Sequence, residues 1–325
     1  MSPTFVFVHG SNSNAFGWAP LQRELALLGH RTLAVDLPGH GFAATFPVAY
    51  QAPQDPEKFA VEPSALAGLT PAQSVEHVID IVRRVTEHGP VILVGHSRGG
   101  LTITGAADAV PDLIDRIVYV SAWCCVTKTP AEYVQTPENA SSALNETAGV
   151  VAADPAALGA LRMNWGTADP ELLAALKTAL LADGTTSEFL AFLNTLEPDE
   201  ILDTTTTPVR AEAWGRVPRT YLRLTQDRSI PVALQDLFIH DADAFTSNNP
   251  FDVRSLECGH AGFLVRPTEV AAILAGLAQT AAFSHARPAG NRSRTPRTQN
   301  SHAPSGELAR VERGTRGTGT GMGVA

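Results

Sequence analysis

The feature that most constrains this chain is a short apolar run, Val91-Ile92-Leu93-Val94, that passes directly into Gly95-His96-Ser97-Arg98-Gly99 and then into a helix-forming stretch reaching Ala109. A G-x-S-x-G sequence between a buried strand and a helix describes a sharp turn that lifts one serine above the C-terminal edge of a sheet. The two glycines have a mechanical reason, because a side chain two residues before or after the serine would run into the neighbouring strand or helix. Ser97 then stands at the positive end of the following helix, where developing negative charge is favoured. Such a turn needs strands on either side of it, and so predicts an α/β chain.

The remaining sequence supplies those strands. Thr4 to Val8 is a β-branched and aromatic run that stops at His9-Gly10, and Arg31 to Val35 is a second strand closed by Asp36-Leu37-Pro38-Gly39-His40-Gly41. Between them Trp18, Leu21, Leu25 and Leu28 recur at helical spacing before Gly29. Residues 42–70 are rich in Pro and Ala without clear periodicity and read as an excursion over the sheet edge. A helix follows from Thr70-Pro71 to Gly89-Pro90, and Ile114 to Val120 is a further strand. Strand rhythm returns at Arg219 to Leu224 and at Val253 to Leu256, with helices over 231–240 and 267–282. This alternation predicts βαβ units in a mainly parallel sheet flanked by helices. Between Ser121 and Val217 the pattern changes to helical pieces separated by Asp-Pro and Gly-Thr breaks, with no strand, which predicts an inserted helical cap. The expected organisation is an α/β core of residues 1–121 and 218–283, a helical cap over 122–217, and a disordered basic tail over 284–325.

Charge narrows the partners. The net charge of −9 conceals a tail with seven arginines against Glu307 and Glu312, a net +5, which leaves −14 for the residues before it. An acidic body repels nucleic-acid phosphates and anionic lipid, so neither nucleic acid nor membrane is an expected partner. Cys124, Cys125 and Cys258 are too few for a disulfide framework and read as small buried hydrophobes. No metal-ligand spacing, phosphate loop or dinucleotide fingerprint is present, so no metal and no cofactor is expected. The chain opens Met-Ser-Pro without the regions of a secretory signal, and no run reaches 18 apolar residues. The expectation is a cytoplasmic protein, monomer or homodimer.

A serine is a weak nucleophile unless a general base takes its proton and a third group orients that base. Cys258-Gly259-His260-Ala261-Gly262 lies between the last strand and the last helix, which makes His260 the candidate base; His30, His77 and His88 fall on helices or their ends, and His285 and His302 in the tail. The strand from Tyr221 runs out on Asp227, which can accept the Nδ1 proton of His260. Asp36, Asp252 and Glu257 are the alternatives, although Asp36 lies on the far side of the nucleophile in strand order and Glu257 is too near His260 along the chain. For the oxyanion of a tetrahedral intermediate, the backbone N–H groups of Ser11 and Arg98 are the candidates. His9 and His96 are expected to shape the loop and the turn. Trp18, Trp123, Trp165 and Trp214, with Met163, Phe189 and Phe192, are candidate walls of a substrate pocket.

Taken in order, the segments HG, DLPGHG, GHSRGG, TQDRSIP and GHAGFLVRP resemble the α/β-hydrolase superfamily across roughly residues 4–282. Within it the chain resembles the small-ester hydrolases that include plant methyl salicylate esterases, the related hydroxynitrile lyases and their bacterial relatives. The resemblance implies the α/β-hydrolase fold and catalysis by Ser97, Asp227 and His260. The lyases carry a threonine after the first histidine and a lysine after the catalytic one, where this chain has Gly10 and Ala261. With no ammonium to support departing cyanide, the resemblance implies an esterase. The expected substrate is a small-to-medium, largely apolar carboxylic ester or lactone, cleaved through an acyl-enzyme. The alternatives are carbon–carbon bond hydrolysis or acyl transfer by the same triad, or a ligand-binding receptor on this fold.

Overall fold

The computed structural model describes residues 2–202 and 204–284. Its strands are β1 (Thr4–Val8), β2 (Arg31–Val35), β3 (Val91–Ser97), β4 (Arg116–Ala122), β5 (Ala160–Arg162), β6 (Asp199–Ile201), β7 (Arg219–Leu224) and β8 (Asp252–Leu256). Six of them form one sheet in the order β2-β1-β3-β4-β7-β8, with every neighbouring pair parallel. β1, β2 and β7 have the bounds expected from the sequence, whereas β3 runs on to Ser97 and β4 ends at Ala122. Because all six strands point the same way, the loops after β1, β3, β7 and β8 gather at one edge of the sheet.

Alternation along the strands builds two cores. Phe5, Phe7, Ile92, Val94, Val118, Val120, Leu222 and Leu224 point to one face, where Leu21 and Leu25 of helix Ala19–Leu27 and Leu274 of helix Pro267–Ser284 cover them. Val6, Val8, Leu93, Ile117, Tyr119 and Tyr221 point to the other, beneath helices Pro71–Thr86, Gly99–Ala109 and Val232–Phe245. Each large apolar side chain buried this way contributes roughly 1.5–3 kcal/mol.

The segment between β4 and β7 carries helices Pro130–Val134, Pro155–Leu158, Pro170–Leu180 and Thr186–Leu193, but it is not purely helical. β5 and β6 pair antiparallel within it, with Ala160 opposite Ile201 and Arg162 opposite Asp199. The sequence hid these strands because each has three residues and their buried side chains include Arg162, Asp199 and Glu200, which erase the apolar signal. Arg162 is fully buried; Nε and Nη2 fork onto the Asp199 carboxylate at 2.7 Å each, and Nη1 donates to the carbonyls of Phe59 and Glu62 at 2.6 Å. That arginine corrects the reading of residues 42–70 as well. The segment contains helix Pro56–Val61 and is fastened to the inserted segment by Arg162 and by a Gln54–Asn164 amide pair at 3.0 Å. Trp165, Leu176, Phe189 and Leu193 give the insertion its own core.

Among the described residues no helix is long and apolar enough to cross a membrane. Apart from Ser284, which ends the last helix, the expected basic tail lies outside the described residues.

Candidate active site

At the end of β3 the chain turns so tightly that Ser97 has φ of +52°, a conformation that costs a non-glycine residue strain. The glycines beside it are required by contact. A methyl group at Gly95 would lie 2.9 Å from Ile103 Cδ1, and one at Gly99 would lie 2.5 Å from the carbonyl oxygen of His9. The turn is therefore wedged against both the first loop and its own helix.

The loops after β7 and β8 bring Asp227 and His260 together. His260 Nδ1 donates to Asp227 Oδ2 at 2.6 Å, with the aspartate side chain fully buried and the imidazole nearly so. Nε2 is then the nitrogen able to accept a proton, and both His260 and Ser97 open onto the same cavity. Asp227 is saturated with donors. Its Oδ1 accepts the backbone N–H groups of Ser229 at 2.7 Å and Ile230 at 2.9 Å, and its Oδ2 also accepts from Ser121 Oγ at 2.6 Å. Four donors on one carboxylate fix its plane.

Ser121 was not among the residues singled out in the sequence. It is fully buried on β4 with φ of +37°, and a lone serine within an apolar strand gives no local signal that it faces an acid 106 positions away. The alternative acids are engaged elsewhere: Asp252 pairs with Arg254 at 3.0 Å, Glu257 accepts from Gln226 at 3.0 Å, and Asp36 accepts the N–H of Ala15 at 2.6 Å.

The two other histidines are structural and neutral. His9 Nε2 accepts the N–H of Leu37 at 3.1 Å, which leaves Nδ1–H to donate to the Gly10 carbonyl at 2.9 Å. Burial and the neighbouring His40 push its pKa down to about 4. His96 donates from Nε2 to the His260 carbonyl at 3.1 Å and packs against that ring at 4.5 Å. Burial and then the nearness of His260 hold its pKa well below the ordinary histidine value.

Ser97 and His260 open into a cavity of about 490 Å³. Ser11 and Arg98, the candidate oxyanion residues, both border it. Its upper walls are apolar, including Trp123, Leu144, Met163, Trp165, Phe192 and Leu196, and among the described residues no Asp, Glu or Lys lines it. Trp18, Trp123 and Trp165 all reach the cavity, as the sequence reading expects, whereas Trp214 does not. Trp214 is fully buried beneath the sheet, with Nε1 donating to Tyr119 Oη at 3.0 Å and the Arg219 guanidinium 4.2 Å over its ring. It sits on a short 3₁₀ turn at Trp214–Arg216, just before β7, and so packs into the core instead of the pocket. Phe189 likewise turns into the core of the insertion.

A family model described as "Alpha/beta hydrolase family" matches residues 5–273. The chain belongs to that family. Methylesterase 2 of Arabidopsis thaliana is 27% identical to it over 251 residues, covering 74% of this chain and 84% of its own. Polyneuridine aldehyde esterase of Rauvolfia serpentina is 25% identical over 282 residues, 82% of this chain and 92% of its own. Among solved structures, a pyrethroid hydrolase from Sphingobium faniae JZ-2 superposes with a TM-score of 0.62 at 20% identity, over 87% of this chain and all of that one. At that identity the likeness speaks for the fold.

Proposed function

We propose that this chain is a carboxylic ester hydrolase in which Ser97 is the nucleophile, His260 the general base and Asp227 the residue that orients it. The observation that carries this reading is the buried 2.6 Å contact between His260 Nδ1 and Asp227, opening onto the same cavity as a serine held at positive φ. As the serine Oγ bonds to the ester carbonyl carbon, its proton passes to His260 Nε2 and the carbonyl π pair moves onto oxygen. The N–H groups of Ser11 and Arg98 would receive that oxyanion, each such donor being worth roughly 2.7–4 kcal/mol. Collapse breaks the bond to the alkoxy oxygen, which leaves as the alcohol with the proton from Nε2. Water then repeats the sequence on the acyl-enzyme, releasing the acid and restoring Ser97.

The cavity supports the substrate class. Its volume falls in the usual range of roughly 300–1,000 Å³ for small-molecule sites. A charged acyl or alcohol group would lose its hydration against Leu144, Met163, Phe192 and Leu196 without gaining a partner, so a neutral, largely apolar ester or lactone fits best. The names of the methylesterase and polyneuridine aldehyde esterase relatives point to the same chemistry. Three free, buried cysteines support a reducing, cytoplasmic setting.

The test is turnover of a panel of p-nitrophenyl esters, aryl methyl esters and lactones, each run beside Ser97→Ala. Hydrolysis that disappears in the variant, with a pre-steady-state burst of one alcohol per active site, is the expected result. Turnover that survives Ser97→Ala overturns the assignment.

A further inference from the structure

Asn12, the residue after the Ser11 oxyanion candidate, is buried with φ of +55° and is held on three sides by the segment that enters β6. Its N–H donates to Glu200 Oε2 at 2.8 Å, its carbonyl accepts the N–H of Glu197 at 2.7 Å, and its side-chain amide donates to the carbonyls of Glu197 and Pro198 at 2.9 and 3.3 Å. The second oxyanion candidate is tied to the same place. Arg98 Nη1 donates to the Ile201 carbonyl at 2.7 Å and lies 4.0 Å from Glu200 Oε1. Both loops that would bind the oxyanion are thus fastened to one stretch of the inserted segment, through Glu197, Pro198, Glu200 and Ile201.

The fastening is ionic and buried. Glu197 and Glu200 are almost fully buried, yet neither borders the substrate cavity. His40 bridges them, its Nδ1 2.7 Å from Glu197 Oε2 and its Nε2 3.6 Å from Glu200 Oε1. Glu197 Oε1 also accepts from the N–H of Gly41 and from Asn14 Nδ2, each at 2.8 Å. Two carboxylates facing an imidazolium and a guanidinium sum to zero, so the buried cluster is neutral as long as His40 holds its proton. A cluster of this kind is poor value for stability alone, because desolvation consumes much of the attraction, and its best-attested use is to enforce one arrangement.

We infer that Glu200, seconded by Glu197 and His40, is a positioning residue that clamps the oxyanion loops to the inserted segment, so that the oxyanion hole is assembled only when β6 is seated. This rests on the esterase reading above. The groups facing His40 are Glu197 and Glu200 from the insertion and His9 from the first loop; Arg98, from the turn, reaches the same Glu200, and its carbonyl partner Ile201 lies on β6. Burial works against the charged imidazole, but the two carboxylates outweigh it and raise His40 to about 9.

The experiment compares wild type, Ser97→Ala and Glu200→Gln on one p-nitrophenyl ester across pH 6–10, together with inhibition by an alkyl boronic acid, whose tetrahedral adduct places a negative oxygen in the oxyanion hole. Glu200→Gln is expected to lose about tenfold or more in kcat with KM little changed, below the ~10²–10³ expected for deleting a donor outright. Boronic acid affinity should fall in parallel, and the alkaline limb of kcat should move to lower pH, since His40 loses one of its carboxylates. Should Glu200→Gln not fold, Asn12→Gly, which accepts positive φ but lacks the amide contacts, should show the same kcat loss. Unchanged kcat and boronate affinity in a folded variant, with Ser97→Ala inactive, overturn the clamp and leave the esterase reading standing. Turnover that survives Ser97→Ala, or a wild type with no turnover, overturns both.

Discussion

Replacing Asp227 by asparagine isolates the proton geometry of the site, because the structure dictates how the amide must sit. The Oδ1 position faces two backbone N–H groups, from Ser229 at 2.7 Å and Ile230 at 2.9 Å, and neither can accept a hydrogen bond. The amide oxygen must therefore take that place, which puts the NH₂ at the Oδ2 position, 2.6 Å from both His260 Nδ1 and Ser121 Oγ. Ser121 can rotate its hydroxyl and accept, but His260 can accept only by giving up its Nδ1 proton. The neutral ring then carries its proton on Nε2, the nitrogen that should receive the proton of Ser97. A base locked in the wrong tautomer with otherwise intact geometry is worth about 10⁴ in kcat, or ~5.4 kcal/mol at ~1.36 kcal/mol per decade. Stability should suffer less, by about 1–3 kcal/mol, as charge-assisted bonds become neutral ones. The assay is kcat on a p-nitrophenyl ester beside urea unfolding of the same samples. A folded Asp227→Asn enzyme that keeps more than about a tenth of wild-type kcat refutes the tautomer argument. If Asp252→Asn were the inactive variant instead, the acid would belong to β8.

Three further expectations follow from the same contacts. Ser97→Ala and His260→Ala should each lower kcat by several orders of magnitude and the double variant by little more, because the residues act as one unit; additive losses would show that they do not. Trp214→Phe should lower the unfolding free energy by about 1–3 kcal/mol through the lost bond to Tyr119 while leaving KM unchanged, whereas Trp123→Ala should raise KM for apolar esters; the reverse pattern would put the pocket on the wrong side of the sheet. In urea unfolding, the stability contributed by His40 should be fully present below its unfolded pKa near 6.5 and fade as pH rises through about 9, while that of Glu200 should be present above about 4.5 and fade as pH falls toward about 2. His9, buried neutral, should add a further loss between 6.5 and about 4, so the maximum lies near pH 6.5; a His40→Gln variant with the same alkaline decline as wild type would remove His40 as its cause.

The sheet was legible in the sequence because its central strands β1, β3 and β4 carry apolar runs buried on both faces, and turn residues bound the others. β1, β2 and β7 could be bounded to the residue because Pro3 and His9-Gly10, Gly29-His30 and Asp36-Leu37-Pro38, and Pro218 stand at their ends. β5 and β6 could not, because each is only three residues long and carries the charges of Arg162 and Asp199, and a charge reads as surface until its partner 37 residues away is known. Trp214 failed in the opposite direction. Its size made it a fair pocket candidate, and only the approach of Tyr119 and Arg219 from neighbouring strands shows that its indole nitrogen is satisfied in the core.

The same distinction divides the site. Ser97 ends one strand and Asp227 and His260 lie in the loops just after two others, and in a parallel sheet those positions send all three to a common edge, so short-range sequence was enough to nominate them. Ser121, Asn12, Glu197 and Glu200 hold those loops in place through contacts that span 106 to 188 positions, and no local pattern encodes a partner at that distance. Glu200 carries the point furthest. In the sequence it is one more acidic residue on an acidic body, yet in the fold it is almost fully buried and grips the backbone beside Ser11. Isolated burial would disfavour its charge, but His40, Arg98 and the N–H of Asn12 more than compensate and draw its pKa down to about 2. A carboxylate that stays ionised when almost fully buried has to be held by several elements at once. Those elements here are the loop after β1, the loop after β2, the turn after β3 and the inserted segment, the same four whose relative placement decides whether an oxyanion meets its donors.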